Sequence, residues 1–449
     1  MSMRAHRPAS KAGNAPPPHH PYPYPWVRLR SAAASPFIYR RMIESVDPAA
    51  RAGDVGAVYD RHGQFFGHGF YHDRSQIGLR MLSYEQPAID DAFFAGRIAQ
   101  ALTWRRQMFG LDDPSEKPPE RGTVPISREY GPHAEFEESC TTGEMRNGDS
   151  PRASQTDAYR LIHAEGDNLS GLIAERYADW IAIEVFSLGI FKRLDLIKRL
   201  LADQTGIRQF VVRADENIEQ IEGFHVPPQM SDPAPKTITV LEHGVRFRID
   251  LRAGHKTGFF CDQRENRKRL ASLCRGLDVL DGCCYTGGFG IYAKMIGQAE
   301  SVTAVDLDED AIELANTNAK LNQARITFAH SDVFGYLRQM QTNGRLFDVV
   351  VLDPPKFVPT RDDYREGSQK YMDLNALGMS VLKPGGLLLT CSCSGLVSRD
   401  DFLGMVRSAA ARMRRPLQVV DVTGAGPDHP VMAHCPESAY LKALWLRVL

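Results

Sequence analysis

The residues best equipped for chemistry lie late in the chain. Leu389-Thr390-Cys391-Ser392-Cys393-Ser394-Gly395 reads as a strand end running into a turn of small residues. Side chains alternate along a strand, so Cys391 and Cys393 share a face if the strand continues. Cys391 sits deeper, next to Leu387, Leu388 and Leu389, whereas Cys393 stands at the exit. A thiolate at that exit is available as a nucleophile. Upstream, Val349-Val350-Val351-Leu352-Asp353-Pro354-Pro355-Lys356-Phe357 ends a second apolar strand in a rigid turn, because two prolines fix φ and remove two backbone donors. The turn holds Asp353 at the sheet edge and leaves carbonyls free. That geometry can grip the ring nitrogen or amino group of a nucleobase turned out of its stack, with Pro354, Pro355, Lys356 and Phe357 placed to touch it. Carbon 5 of cytosine is a poor nucleophile, but a thiolate added at carbon 6 converts the ring into an enamine able to attack an electrophilic methyl group. Cys393 as nucleophile and Asp353 as the acid that recognises and protonates the base therefore suit methylation at carbon 5. The turn without the thiol would serve methylation of an exocyclic amino group or ring nitrogen instead.

The methyl donor is legible from three further strand ends. Asp281-Gly282-Cys283-Cys284-Tyr285-Thr286-Gly287-Gly288 closes a strand and opens a helix, and its small residues let backbone approach a ligand at the strand's carboxyl end. It lacks the G-x-G-x-x-G of a pyrophosphate binder. The next strand ends at Asp306, 19 residues past Gly287, where a carboxylate can accept from both ribose hydroxyls. The third ends at Ser331-Asp332, where Asp332 can receive an adenine amino group. A nucleoside without a pyrophosphate fits all three, and together the acids describe S-adenosylmethionine. Asp308, just ahead of a helical stretch, reads only as a helix cap.

These strand ends need a scaffold. From Leu277 onward, short apolar runs alternate with helical patterns, which predicts a doubly wound parallel sheet. The strands are expected at Leu277 to Asp281, Ser301 to Asp306, Arg325 to Ala329, Phe347 to Asp353, Gly386 to Ser392, Gln418 to Val422 and Tyr440 to Arg447. The methyltransferase unit is placed at 246–449, behind a central α+β unit at 157–245. That unit has strands at Ala158 to Ile162, Trp180 to Phe186 and Gln209 to Arg213 and an amphipathic helix at Phe191 to Gln204, with Thr237 to Leu251 a hairpin leading onward. Residues 26–90 read as a small β-rich domain with runs at Asp54 to Asp60, Gln64 to Tyr71 and Gln76 to Leu82. A helical stretch from about Ile89 to Phe109, with Ile89, Phe93, Ile98 and Leu102 on one face, reads as a connector placed at 91–110. Residues 1–25 hold seven prolines and no acid, a basic tail expected to be disordered, and 111–156 reads as a flexible acidic loop.

The motifs in order carry a resemblance. Gly254-His255-Lys256-Thr257-Gly258-Phe259-Phe260-Cys261-Asp262-Gln263-Arg264, Tyr285-Thr286-Gly287-Gly288-Phe289, Asp353-Pro354-Pro355-Lys356-Phe357, Ser392-Cys393-Ser394-Gly395 and Asp428-His429-Pro430-Val431 together resemble the bacterial 23S ribosomal RNA large-subunit methyltransferase I family. The resemblance covers nearly all of 26–449. It implies an N-terminal PUA domain that binds RNA, a central α+β domain, and a class I, Rossmann-like methyltransferase domain forming 5-methylcytosine, with homodimers among relatives. It also implies that Cys393 is the catalytic cysteine, that Asp353 grips the base, and that Lys256, Thr257, Gly258, Phe259, Asp262 and Arg264 lie beside the cofactor.

The chain has 449 residues, 54 Lys and Arg against 55 Asp and Glu, so RNA contact must rely on local patches rather than on net charge. Arg264, Arg267, Lys268 and Arg269 form one basic cluster, and Arg407, Arg412, Arg414 and Arg415 another that reads rather as a solvated helix face; Arg28, Arg30, Arg40 and Arg41 are the corresponding residues of the β-rich domain. The eight cysteines show no C-x-x-C spacing, so neither zinc nor a disulfide framework is expected. No run approaches the ~18 apolar residues of a membrane span, and a cytoplasmic location is the expectation. Asp428, His429 and His434 read as loop anchors. A non-catalytic RNA-binding or assembly protein that keeps the cofactor pocket is the remaining alternative.

Overall fold

The structure, a computed structural model, describes residues 20–31, 34–85, 88–110, 156–251 and 259–449. Residues 111–155 of the expected loop at 111–156 and the expected cofactor residues Lys256, Thr257 and Gly258 lie outside the described residues, as do residues 1–19 of the tail.

The first unit is a six-stranded sheet ordered Phe37–Tyr39, Ile77–Ser83, Phe65–Tyr71, Val55–Tyr59, Trp26–Leu29 and Ile43–Val46. Its inward residues Val27, Leu29, Ile38, Val58, Leu79 and Met81 are buried together. Residues 20–25 correct the expectation of a disordered tail that runs to residue 25. The ring of Tyr22 lies 4.5 Å from Phe65, His20 Nδ1 is 2.7 Å from the Tyr59 hydroxyl, and the Tyr24 hydroxyl accepts from the Ile89 N–H at 2.9 Å. Aromatic rings between the prolines supply contact area that a proline count hides.

The helix Asp91–Phe109 is capped by Asp90, whose side chain accepts from the Phe93 N–H. Ile89, Phe93, Ile98 and Leu102 are buried, as their spacing predicts, but the helix does more than connect. With the helix Leu194–Thr205 it covers a four-stranded sheet ordered Gln209–Arg213, Trp180–Val185, Leu172–Tyr177, Ala158–His163. The hairpin of Thr237–Glu242 and Val245–Asp250 docks through Val240, Phe247 and Ile249 onto Tyr292 and Ala319 of the last unit.

The last unit is a seven-stranded sheet ordered Thr327–His330, Ser301–Asp306, Asp278–Gly282, Phe347–Leu352, Leu382–Ser392, Lys442–Val448, Leu417–Thr423. All seven expected strands are present. The parallel expectation needs one correction: Lys442–Val448 runs antiparallel to both its neighbours. A parallel arrangement would need a crossover, usually a helix, whereas the chain between Thr423 and Lys442 carries only the single turn Pro436–Ser438. The order reverses direction around Asp278–Gly282 and Phe347–Leu352, the place where open α/β sheets collect ligands.

Candidate active site

At the carboxyl end of Asp278–Gly282 the chain turns tightly before the helix Gly288–Met295. Cys283, Tyr285 and Gly287 all have positive φ, at 61°, 49° and 83°. Gly287 suits its position doubly, since a Cβ there would also come 3.3 Å from that of Ala315. The turn is pinned by backbone: the Cys284 N–H donates to the Val305 carbonyl at 3.0 Å and the Gly287 N–H to the Cys284 carbonyl at 2.9 Å. Asp306 fastens it from the next strand, one carboxylate oxygen accepting from the Tyr285 N–H at 2.8 Å and the other from the Asp308 N–H at 3.0 Å. Thr286 is buried, and its carbonyl accepts from the Asn318 side chain.

The four acids expected on strand ends converge. The Cys283 thiol is pushed well up by burial and then by the charges of Asp306, Asp353, Asp281 and Asp332. Asp281 is fully buried; one oxygen accepts from the Gly290 N–H at 2.8 Å and the other has no hydrogen-bond partner among the described residues. Burial, then the charges of Asp353 and Asp306, raise its carboxyl to about 7 against the opposing Gly290 bond. Such a ring of acids with an unpaired buried oxygen suits a ligand bearing positive charge and hydrogen-bond donors, as S-adenosylmethionine does through its sulfonium, ammonium and ribose groups. Asp332 also caps the helix Val333–Thr342, one oxygen of its exposed carboxylate accepting from the Gly335 N–H at 2.8 Å. Asp308 is a helix cap, as read.

The segment before the helix Arg264–Ala271 lines the same cleft as Cys393 through Phe259 and Asp262. Phe259 is buried against Phe247 and Arg267, and Asp262 accepts from the Tyr440 hydroxyl at 2.6 Å. Arg264 is placed away from a cofactor role: its guanidinium, fully buried, donates to both oxygens of Asp428 at 3.0 and 2.8 Å. Asp428 also accepts from the Arg160 N–H, and its carbonyl accepts from Arg105, which itself clasps Asp167. The loop that carries Asp428 and His429 is thereby locked to the central sheet and the helix Asp91–Phe109. Nothing in the spacing of these residues announces the latch. The basic clusters are largely engaged too: Arg267 with Glu242, Arg269 with Asp421, Arg412 with Asp373, and Arg415 with the carbonyls of Met379 and Leu382, while Lys268, Arg407 and Arg414 are exposed.

At the reaction end, Leu352 pairs with Thr390, so Asp353 leaves the sheet beside Cys391. The Asp353 N–H donates to the Gly282 carbonyl at 3.3 Å, which binds the proline turn to the cofactor loop. Pro354 is buried, Pro355 and Lys356 are exposed, and the Phe357 ring packs 4.9 Å from Tyr371. Tyr371 organises the loop that carries Cys393. Its hydroxyl accepts from Ser392 Oγ at 3.0 Å and lies 3.0 Å from Ser394 Oγ, which in turn accepts from the Val358 N–H at 3.2 Å. One serine thus ties the turn after Asp353 to the residue after Cys393. The two cysteines differ as their positions suggest. Cys391 is fully buried and burial pushes its thiol well up. Cys393 is half-buried and opens, with Lys356, Asp262 and Tyr440, onto a cleft of ≈ 750 Å³ whose far wall includes Phe37 and Arg80 of the first sheet and Arg160 of the central one.

A seven-stranded sheet in this order, with acids converging on the first turn, defines the S-adenosylmethionine-dependent methyltransferases. Residues 220–447 match the family model described as S-adenosylmethionine-dependent methyltransferase, and 30–84 match a PUA-like domain. The chain is 33% identical over 419 residues to the ribosomal RNA large subunit methyltransferase I of Pseudoalteromonas atlantica, covering 92% of this chain and 95% of that one. It is 34% identical over 421 residues to that of Shewanella denitrificans, with the same coverage of 92% and 95%. A solved Streptococcus mutans protein, described as a candidate SAM-dependent methyltransferase, superposes with a TM-score of 0.72 at 18% identity, covering 94% of this chain and all 100% of that one, so the fold is shared. A further solved candidate methyltransferase, in complex with SAH, gives a TM-score of 0.73 at 19% identity, covering 94% and 99% of the two chains. The chain belongs to the ribosomal RNA large subunit methyltransferase I family, and S-adenosylmethionine is its cofactor. Among the described residues no helix is long and apolar enough to cross a membrane.

Proposed function

We propose that the protein methylates carbon 5 of a cytosine in large-subunit ribosomal RNA through a covalent adduct of Cys393. The RNA class follows from the names of the relatives and from the PUA-like domain; the atom follows from the thiol. One observation carries the reading: of the two cysteines on the fifth strand, the one at the exit opens onto the cleft while its neighbour is sealed. S-adenosylmethionine, when bound, supplies an activated methyl group on a sulfonium. Asp306 and Asp332 bind the ribose and adenine, and the turn from Gly282 to Gly287 gives the backbone approach. Asp353 holds the base's ring-nitrogen edge and lends it a proton, which draws electrons from carbon 6. Cys393 Sγ, as thiolate, bonds to carbon 6, and the electron pair moves to carbon 5, which would take the methyl group as its bond to the donor sulfonium breaks and the donor leaves as a neutral thioether. Loss of the carbon 5 proton to a base then restores the double bond as the carbon–sulfur bond breaks, Cys393 is released as the thiolate, and the ring nitrogen returns its proton to Asp353. Pro354, Pro355, Lys356 and Phe357 are the residues positioned to hold the base in this pose. Cys393→Ala is the test: it abolishes transfer to ribosomal RNA while cofactor binding persists. Full activity in that variant would shift the assignment to nitrogen methylation through Asp353-Pro354-Pro355.

A further inference from the structure

Lys442 begins the reversed strand of the large sheet and pairs with Ser392, one residue before the nucleophile. It is only 5% exposed. Its ammonium donates to the Ser394 carbonyl at 2.6 Å and to the Tyr440 carbonyl at 2.8 Å, so it clasps the loop on the far side of Cys393. Among the described residues no carboxylate pairs with it. A buried cation without an anion is costly, and such groups are found where a counter-charge forms during function.

We propose that Lys442 is a positioning residue whose ammonium serves as the counter-charge of the Cys393 thiolate. The inference rests on the reading of Cys393 as nucleophile and says how that thiol is ionised at neutral pH. The electrostatics agree with the geometry: burial brings Lys442 down to about 8, the Cys393 thiolate holds it up, and the exposed Lys356 lowers it. The other groups acting with Cys393 do not supply the charge. Tyr371, from the helix Tyr364–Ser380, is raised by burial despite its bonds to Ser392 and Ser394, and the charge of Cys393 raises it further. Asp353 and Asp262, which with Cys393 raise Cys391, would oppose ionisation, as anions do. Lys356 is the second cation in reach, but it is exposed and solvent screens it.

The test is site-resolved alkylation of Cys393 by iodoacetamide across pH in the full-length protein, read by peptide mass spectrometry, for wild type, Lys442→Met and Lys442→Arg. An opposite charge at close range shifts a titration by about one unit or more. Lys442→Met should therefore move the alkylation midpoint up by about one unit, cut the neutral-pH rate roughly tenfold, and shift the rising limb of the methyl-transfer pH profile equally, while Lys442→Arg stays near wild type. A Lys442→Met midpoint that coincides with wild type overturns the proposal. Should Lys442→Met no longer bind cofactor, the reciprocal measurement decides: in Cys393→Ala, the ¹³C-dimethylated Lys442 resonance should titrate lower than in wild type, and an unchanged value overturns the proposal. Alkylation does not depend on turnover, so a failure of the nucleophile assignment itself, seen as activity in Cys393→Ala, is separately visible.

Discussion

Asp428→Ala should destabilise the protein more than any surface change, and the structure sets the size. Asp428 and Arg264 are both fully buried, joined by two hydrogen bonds at 3.0 and 2.8 Å, and Asp428 accepts further from Arg160 and His429. Truncation leaves the guanidinium in a dry site with the half-exposed Glu265 and with Glu242, which is already paired with Arg267. Removing one partner of a buried pair costs about 3–5 kcal/mol. For units of 150–250 residues each kcal/mol moves a melting midpoint by about 2–4 °C, so calorimetry should read a fall of roughly 6–20 °C. Arg264→Met in the same background should recover part of the loss, because it removes the orphaned charge. The pH dependence has a fixed sign. Burial pushes the Asp428 carboxyl up, but the His429 ring and the Arg264 guanidinium hold it well below the ordinary carboxylate range. A depressed folded value gives stability that is present above the unfolded value near ~3.9 and is lost as pH falls through the folded one, so the acid-side loss should shrink in Asp428→Ala. A melting midpoint within 1–2 °C of wild type, about the effect of a surface change, would refute the latch. Unimpaired cofactor binding by Arg264→Met/Asp428→Ala would confirm that Arg264 is structural.

On the proposed reading Asp306 accepts from the ribose hydroxyls, so Asp306→Asn should weaken cofactor binding roughly tenfold or more by calorimetric titration, and an unchanged Kd would remove Asp306 from the site. Gly287→Ala should cost about 1 kcal/mol of stability, since alanine is strained at φ 83°; a neutral result in chemical denaturation would contradict that conformation. Tyr371→Phe removes a hydroxyl that spans Ser392 and Ser394, and should lower kcat with little change in cofactor Kd; a change confined to Kd would place Tyr371 in the wrong role. Asp281 has a raised folded value of about 7, so the stability it contributes is present at acid pH and lost as pH rises toward 7. Asp281→Asn should flatten the stability profile of the cofactor-free protein between about pH 4 and 7, which urea melts at several pH values would check.

The large sheet was legible because most of its strands are short apolar runs ending in an acid or a turn residue, and periodicity reports such runs directly. The reversal of Lys442–Val448 was not, since strand direction depends on connections rather than on pattern. The strand Leu172–Tyr177 escaped notice because its interior holds Glu175 and Arg176, and Glu175 is buried only by virtue of Arg160 and the Tyr177 hydroxyl. The placement of the acids at strand ends and of Cys393 could be read locally, as each depends on position along one strand. Arg264, Asp428 and Lys442 could not. A charged residue reads as solvated until its partner, distant in sequence, is brought to it.

The most direct test of the chemistry uses ribosomal RNA in which 5-fluorocytosine replaces cytosine. Fluorine in place of the carbon 5 proton blocks the elimination that frees the enzyme, so the adduct accumulates. The mechanism predicts a cofactor-dependent covalent RNA–protein complex whose cross-linked peptide contains Cys393. Methyl transfer to natural RNA that proceeds undiminished in Cys393→Ala, with no trapped complex in the wild type, would contradict it.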